Sequence, residues 1–251
     1  MNTVSTVHKK LSLPPLSSAV EWGIGFGLFG SFLLMPAIEI LIVDLAARYG
    51  VVQVGQELDN LGTLVLRILI LVTQLSVVLA WVRYFAKDNF YKSLSLRKPT
   101  KADASVLMRI IGVYAAVVIF VLPIVLSLFL SPETINQSQE IGIATNDIPL
   151  LELLLSALAL LVLVPVVEEI VYRGVMFQGI AKYTGVWPAA IVSSALFGVA
   201  HGQVNVGIDT FILGFLSCVL LLKTRNLWMS IFLHSMKNGV AFMILFVSQS
   251  L

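Results

Sequence analysis

The sequence predicts an all-α protein, a polytopic membrane bundle of about seven, or eight, transmembrane helices. Three observations predict it. The 251 residues are 58% hydrophobic and 12% charged, outside the range of soluble globular domains. The apolar residues fall in runs of about 20, the helix length that crosses a hydrocarbon core ~30 Å thick. Lys and Arg alternate between rich and poor connections, as loops on opposite sides of a bilayer do.

The spans fall at residues 19–46, 61–86, 104–130, 150–167 and beyond, 187–201, 206–222 and 228–247. The first is long and carries Pro36, so a kinked or partly interfacial helix is expected there. The fourth continues through GVMFQGIAKY to about Lys182, before a turn at Tyr183-Thr184-Gly185. Pro188 then suits the first turn of the next helix. Lys9 and Lys10 precede the first span, six basic residues from Arg83 to Lys101 lie between the second and third, and Lys182, Lys223 and Arg225 follow. The segment 131–149 carries Glu133, Glu140 and Asp147 with no Lys or Arg. This alternation predicts a cytoplasmic N-terminus and an external C-terminus. Residues 1–18 then form a cytoplasmic tail, 19–149 the N-terminal membrane helices and loops, and 150–251 a C-terminal helical core, all in one membrane domain. The connection 83–103 is the longest on the basic side, suited to anionic headgroups or to a protein partner. The opening residues lack the compact apolar core of a removable signal peptide.

A formal charge of +2, with basic residues scattered between apolar spans, excludes a nucleic-acid partner and leaves membrane lipid as the immediate one. The single cysteine, Cys218, allows no intramolecular disulfide and reads as a small buried hydrophobe.

Ionisable residues inside membrane spans cost about 2.5–3.5 kcal/mol each on insertion scales, so each one needs a reason. Glu21, Glu39, Asp44, Arg67 and Glu152 lie toward span ends or alone, where snorkelling to the interface explains them. Three clusters resist that explanation: Glu168, Glu169 and Arg173; Phe197 and His201; His234 and Asn238. Glu169 and Arg173 stand at i and i+4, the ion-pair spacing, while Glu168 is turned about 100° away. Counted from Gly185, Glu168 is 17 residues back and His201 is 16 forward, so an antiparallel hairpin brings them level. His234 reaches the same depth only if the fourth and fifth helices project ~10 Å further.

A carboxylate, two imidazoles and an amide in a low-dielectric site admit two chemistries. Glu168 with His201 can deprotonate a water while His234 and Asn238 donate to a developing oxyanion, with no cofactor required. Alternatively Glu168, His201 and His234 can hold a zinc whose bound water is the nucleophile. The bland alternative is interhelical hydrogen bonding, worth about 0.6–2 kcal/mol per group.

EEIVYR resembles the EExxxR motif, FGVAH the FxxxH motif and HSMKN the HxxxN motif, in the order found in the CPBP family of intramembrane proteases. That family includes CAAX prenyl endopeptidases and Abi, or bacteriocin-immunity, proteins. The resemblance implies an endopeptidase core over 150–251 in a multi-pass protein of a prokaryotic plasma membrane. By motif position Glu168 and His201 activate water, His234 and Asn238 stabilise the oxyanion, and Glu169, Arg173 and Phe197 support the site. The substrate is then a peptide or protein, prenylated if the CAAX branch is the guide. Two rivals remain: an ion- or proton-coupled transporter, and a non-catalytic immunity or scaffold protein. Transport predicts inverted repeats with broken helices in both halves, and the N-terminal half has no counterpart to the three motifs.

Overall fold

Apolar runs longer than a bilayer core must either tilt or continue into packed protein, and the longest run here does the second. The computed structural model describes residues 35–49, 60–86, 90–135, 137 and 148–249, with no strand among them. The expected tail at 1–18, the start of the first span and the segment 50–59 lie outside the described residues. In chain order the helices are α1 (Met35–Arg48), α2 (Asn60–Ala86), the single turn α3 (Phe90–Ser93), α4 (Lys101–Phe129) and the single turn α5 (Pro132–Ile135). They continue with α6 (Leu150–Thr184), α7 (Val186–Val199), α8 (Val204–Thr224) and α9 (Leu227–Gln249). Among the described residues Leu61–Tyr84, α4, α6 and α8 are long and apolar enough to cross a membrane by the criterion of hydropathy and charge.

α6 is the axis of the bundle. Its 35 residues extend ~52 Å at 1.5 Å per residue, well beyond a bilayer core. The first half turns Leu150, Leu151, Leu154, Leu158 and Val162 outward, whereas Ile170–Phe177 is buried throughout. A helix buried on all sides is a core helix; α7, α8 and α9 pack around this half.

Two prolines shape the long helices in the same way. Pro lacks an N–H and its ring clashes with the carbonyl four residues back. Just before Pro123 the ladder widens, with the Leu122 N–H bonded to the Val117 carbonyl; just before Pro165, the Val164 N–H reaches the Ala159 carbonyl. Both are five-residue steps, the π-helical register. A third π segment, Ile170–Phe177, contains no proline.

α6 ends at Thr184 and Gly185 takes φ 84°, in the left-handed region open to glycine. The expected turn is therefore found, with Pro188 in the first turn of α7. α7 has only 14 residues, ~21 Å long, too short to cross a bilayer. It ends at Val199, so His201 lies in the turn after the helix, where the sequence placed it on the helix itself. The small face Ala189, Ala190, Ser193 and Ser194 is buried, and α7 meets α8 at bare backbone: a Cβ on Gly198 would stand 2.5 Å from the Gly207 carbonyl oxygen. Small residues permit this approach.

The basic connection before α4 docks on the bundle. Leu94 is buried; Gln178 Nε2 donates to the Ser93 carbonyl at 3.3 Å, and the Leu227 N–H donates to that of Ser95 at 3.0 Å. Gly174 leaves room for Leu94, whose Cδ2 would lie 3.0 Å from an added Cβ. Thr100 and Asp103 form a reciprocal capping box at the start of α4. Arg97 grips Asp103 with two bonds of 2.8 and 2.7 Å and also donates to the Thr224 carbonyl at the end of α8.

Candidate active site

The four residues singled out for chemistry line one cavity of about 490 Å³, together with Glu39, Arg67, Tyr172, Phe197 and Lys237 among others. α6 contributes Glu168, the α7–α8 turn His201, and α9 His234 and Asn238.

The two glutamates separate as helical spacing requires. Glu169 Oε1 lies 3.2 Å from Arg173 Nη1, with both side chains 0% exposed. The guanidinium sits over the Phe197 ring, 4.3 Å from its centroid, a cation–π contact. It also occupies space left by Gly214 of α8, where a Cβ would stand 2.7 Å from Nη2. Glu168 is 28% exposed and faces the cavity.

His234 bridges them. Its Nδ1 lies 3.1 Å from Glu169 Oε1 and its Nε2 lies 3.6 Å from Glu168 Oε2. The ring is buried, edge-on to Phe197 at 5.8 Å. His201 stands apart from this pair: its Nδ1 is 2.8 Å from the Phe197 carbonyl and its ring is edge-on to Phe197 at 4.8 Å. A carbonyl only accepts, so Nδ1 carries the proton and the neutral ring keeps an acceptor lone pair on Nε2. The imidazole beside Glu168 is therefore that of His234, where the depth argument pointed to His201. Phe197 serves as the common floor, touching Arg173, His201, His234 and Tyr172.

Asn238 Nδ2 donates to the Leu160 carbonyl at 3.0 Å, leaving its second N–H and its oxygen for the cavity. That carbonyl is an orphan for a readable reason. In the α register its donor would be Val164, whose N–H goes to Ala159; in the π register it would be Pro165, which has none.

The zinc candidates Glu168, His201 and His234 share the cavity, but among the described residues no three His, Cys, Asp or Glu side chains close into a metal-holding group. His234 already has a carboxylate at each nitrogen. The fit to zinc is poor.

The sequence reading passed over several groups. Glu39 and Arg67, assigned to the interface, line the cavity. Lys237 does too, 3.6 Å from Asp209 of α8, which accepts a 2.7 Å bond from Tyr114 of α4. The signal was present: Asp209 and Lys237 are ionisable residues inside apolar spans. Cys218 is buried, as read.

Residues 150–240, from the start of α6 into α9, match the family described as Type II CAAX prenyl endopeptidase Rce1-like. A stretch of 74 residues is 31% identical to "Putative membrane peptidase YdiL" of Bacillus subtilis, covering 30% of this chain and 30% of that protein. No solved structure matches. The resemblance carried by the three motifs is borne out over the C-terminal region, and the chain is an integral membrane protein of several apolar helices.

Proposed function

We propose that the protein is an intramembrane endopeptidase that hydrolyses a peptide bond in the cavity between α6, the α7–α8 turn and α9. One observation carries this reading: Glu168, His201, His234 and Asn238, from three separate elements, meet on one cavity. The matched family supports it.

The chemistry follows from the acceptors and donors that face the cavity. Glu168 takes one proton from a water whose other hydrogen is held by the Nε2 lone pair of His201, and the oxygen of that water attacks the scissile carbonyl. As the carbonyl oxygen gains charge, the remaining Asn238 N–H and the Nε2 of His234 stabilise it. The carboxylates of Glu168 and Glu169 flank that ring. Glu169 and Arg173 act behind it, holding the imidazole in place. The proton collected by Glu168 passes to the leaving amine.

The reading carries further assignments: a cytoplasmic N-terminus, a prokaryotic plasma membrane, and no metal in the mechanism. The substrate is a peptide or protein, and a prenylated CAAX-like substrate is the version that the matched family suggests. Purified Glu168→Ala and His201→Ala proteins should each lose cleavage while keeping the wild-type unfolding temperature. Full activity in either sinks the water-activating pair. Activity should survive chelation in a preparation shown to be metal-free; loss of activity restored by zinc would overturn the metal-free assignment. Comparing protein termini in cells carrying wild-type or Glu168→Gln protein should reveal the substrate, and unchanged termini would favour a scaffold.

A further inference from the structure

One arginine builds a basic patch where α4 begins and α8 ends. Arg97 holds both oxygens of Asp103, in the first turn of α4, and donates to the carbonyl of Thr224, the last residue of α8. The bridge joins segments 127 residues apart, and each brings basic side chains with it. Lys98 and Lys101 flank it on the α4 side, Lys223 and Arg225 adjoin Thr224 on the other, and all four are exposed. The acid within the patch, Asp103, also accepts from the Thr100 N–H and hydroxyl at 2.8 Å each. Its charge is committed to the start of α4, so the patch turns positive charge outward.

The level of this patch in the membrane favours one kind of partner. Lys101 is the first residue of one apolar span and Thr224 the last of another, so the lysines stand where hydrocarbon gives way to headgroups. Tyr91 and Trp228, in the flanking segments, are exposed; such rings settle at headgroup level. The segment that carries Lys98 is also fixed in advance, because Leu94 is buried and the Ser95 carbonyl accepts from the Leu227 N–H. Little ordering then opposes binding. A lipid phosphodiester lies at this depth already, whereas a soluble protein must displace headgroups to reach it. We infer that Lys98, Lys101 and Lys223 form a headgroup site for an anionic phospholipid. The site does not depend on the peptidase reading.

The full-length protein in detergent is mixed with equal amounts of dioleoyl phosphatidylglycerol and dioleoyl phosphatidylcholine, and the retained lipid is counted by native mass spectrometry. Each basic residue near anionic headgroups contributes roughly fivefold in affinity, so three predict a preference for phosphatidylglycerol on the order of 100-fold. Lys98→Gln, Lys101→Gln or Lys223→Gln should each lower it about fivefold, and the triple variant should bring it near one. Lys98→Arg/Lys101→Arg/Lys223→Arg should keep the preference, which separates loss of charge from loss of fold. Arg48→Gln, the same loss of charge on α1, should leave it unchanged. Equal retention of the two lipids by the wild-type protein overturns the site and leaves the patch to a protein partner. A preference that survives the triple glutamine variant, or that falls as far with Arg48→Gln as with one lysine, also overturns it. Displacement of the lipid by millimolar inorganic phosphate would show a site for free anions and overturn the lipid assignment.

Discussion

Two polar regions of the site treat charge in opposite ways. In one, Glu169 and Arg173 are sealed at 0% exposure, each charge facing its opposite. In the other, Glu168, His201 and Lys237 border open space in the cavity. The sealed region can only orient, because nothing reaches it; the open one can react, because Glu168 is not consumed by the arginine. Adjacent glutamates thereby acquire different duties from a 100° step along one helix.

The sealed side carries the larger share of stability. Arg173→Met leaves the Glu169 carboxylate buried without its cation, which costs about 3–5 kcal/mol. We expect the purified protein to be largely unfolded, read by thermal unfolding in detergent. Arg173→Met with Glu169→Gln should recover much of that stability. Failure of the double variant to recover would mean that the guanidinium matters through its packing on Phe197 and not through its charge.

Glu168→Gln tests the open side and should separate the two properties. Loss of a general base lowers turnover by about 10²–10⁴-fold, whereas a change at a partly exposed group moves stability by only ~0.5 kcal/mol. A marked fall in unfolding temperature would show that Glu168 belongs to the structural pair and would end the division of labour.

Gly214→Ala sharpens the boundary with a smaller effect. The new Cβ would lie 2.7 Å from Arg173 Nη2, so the guanidinium must shift over Phe197. Overpacking of this kind costs about 1–3 kcal/mol. Because the arginine orients Glu169, and Glu169 orients His234, turnover should fall along with the unfolding temperature. Unchanged turnover would show that the sealed pair does not position the imidazole.

Much of this was legible in the sequence because it depends on local spacing. The Glu169–Arg173 pair follows from i,i+4, the α6–α7 turn from Gly185, and the apolar spans from composition. The orphan carbonyl of Leu160 was not legible, because it needs both the π step before Pro165 and an amide 78 residues away. His234 as the bridge between the glutamates was equally hidden: spacing gives depth along a helix but not the direction from which a third helix approaches. The place of Glu39 and Arg67 on the cavity was not legible, because a lone charge near a span end gives no sign of the neighbouring helix. The docked Leu94 segment had no sequence signal, since its partner is the absence of a side chain at Gly174.

Beside the open region a single bond, from the Asn238 amide to the Leu160 carbonyl, ties α9 to α6. If Asn238 is there partly because Pro165 removes a donor, the two residues must be energetically coupled. Asn238→Ala alone strands the Leu160 carbonyl and should cost about 1–3 kcal/mol. Pro165→Ala restores an N–H to the ladder, which can then close in either register, so in that background the same Asn238→Ala should cost less. The difference defines a double-mutant cycle with an expected coupling of about 1 kcal/mol, measurable by unfolding in mixed detergent. An equal cost in both backgrounds would mean that Leu160 finds its donor elsewhere, and that the geometry of Asn238 answers to the cavity alone. A positive coupling would show that one N–H of the amide holds α6 through the Leu160 carbonyl, which leaves the other to face the cavity.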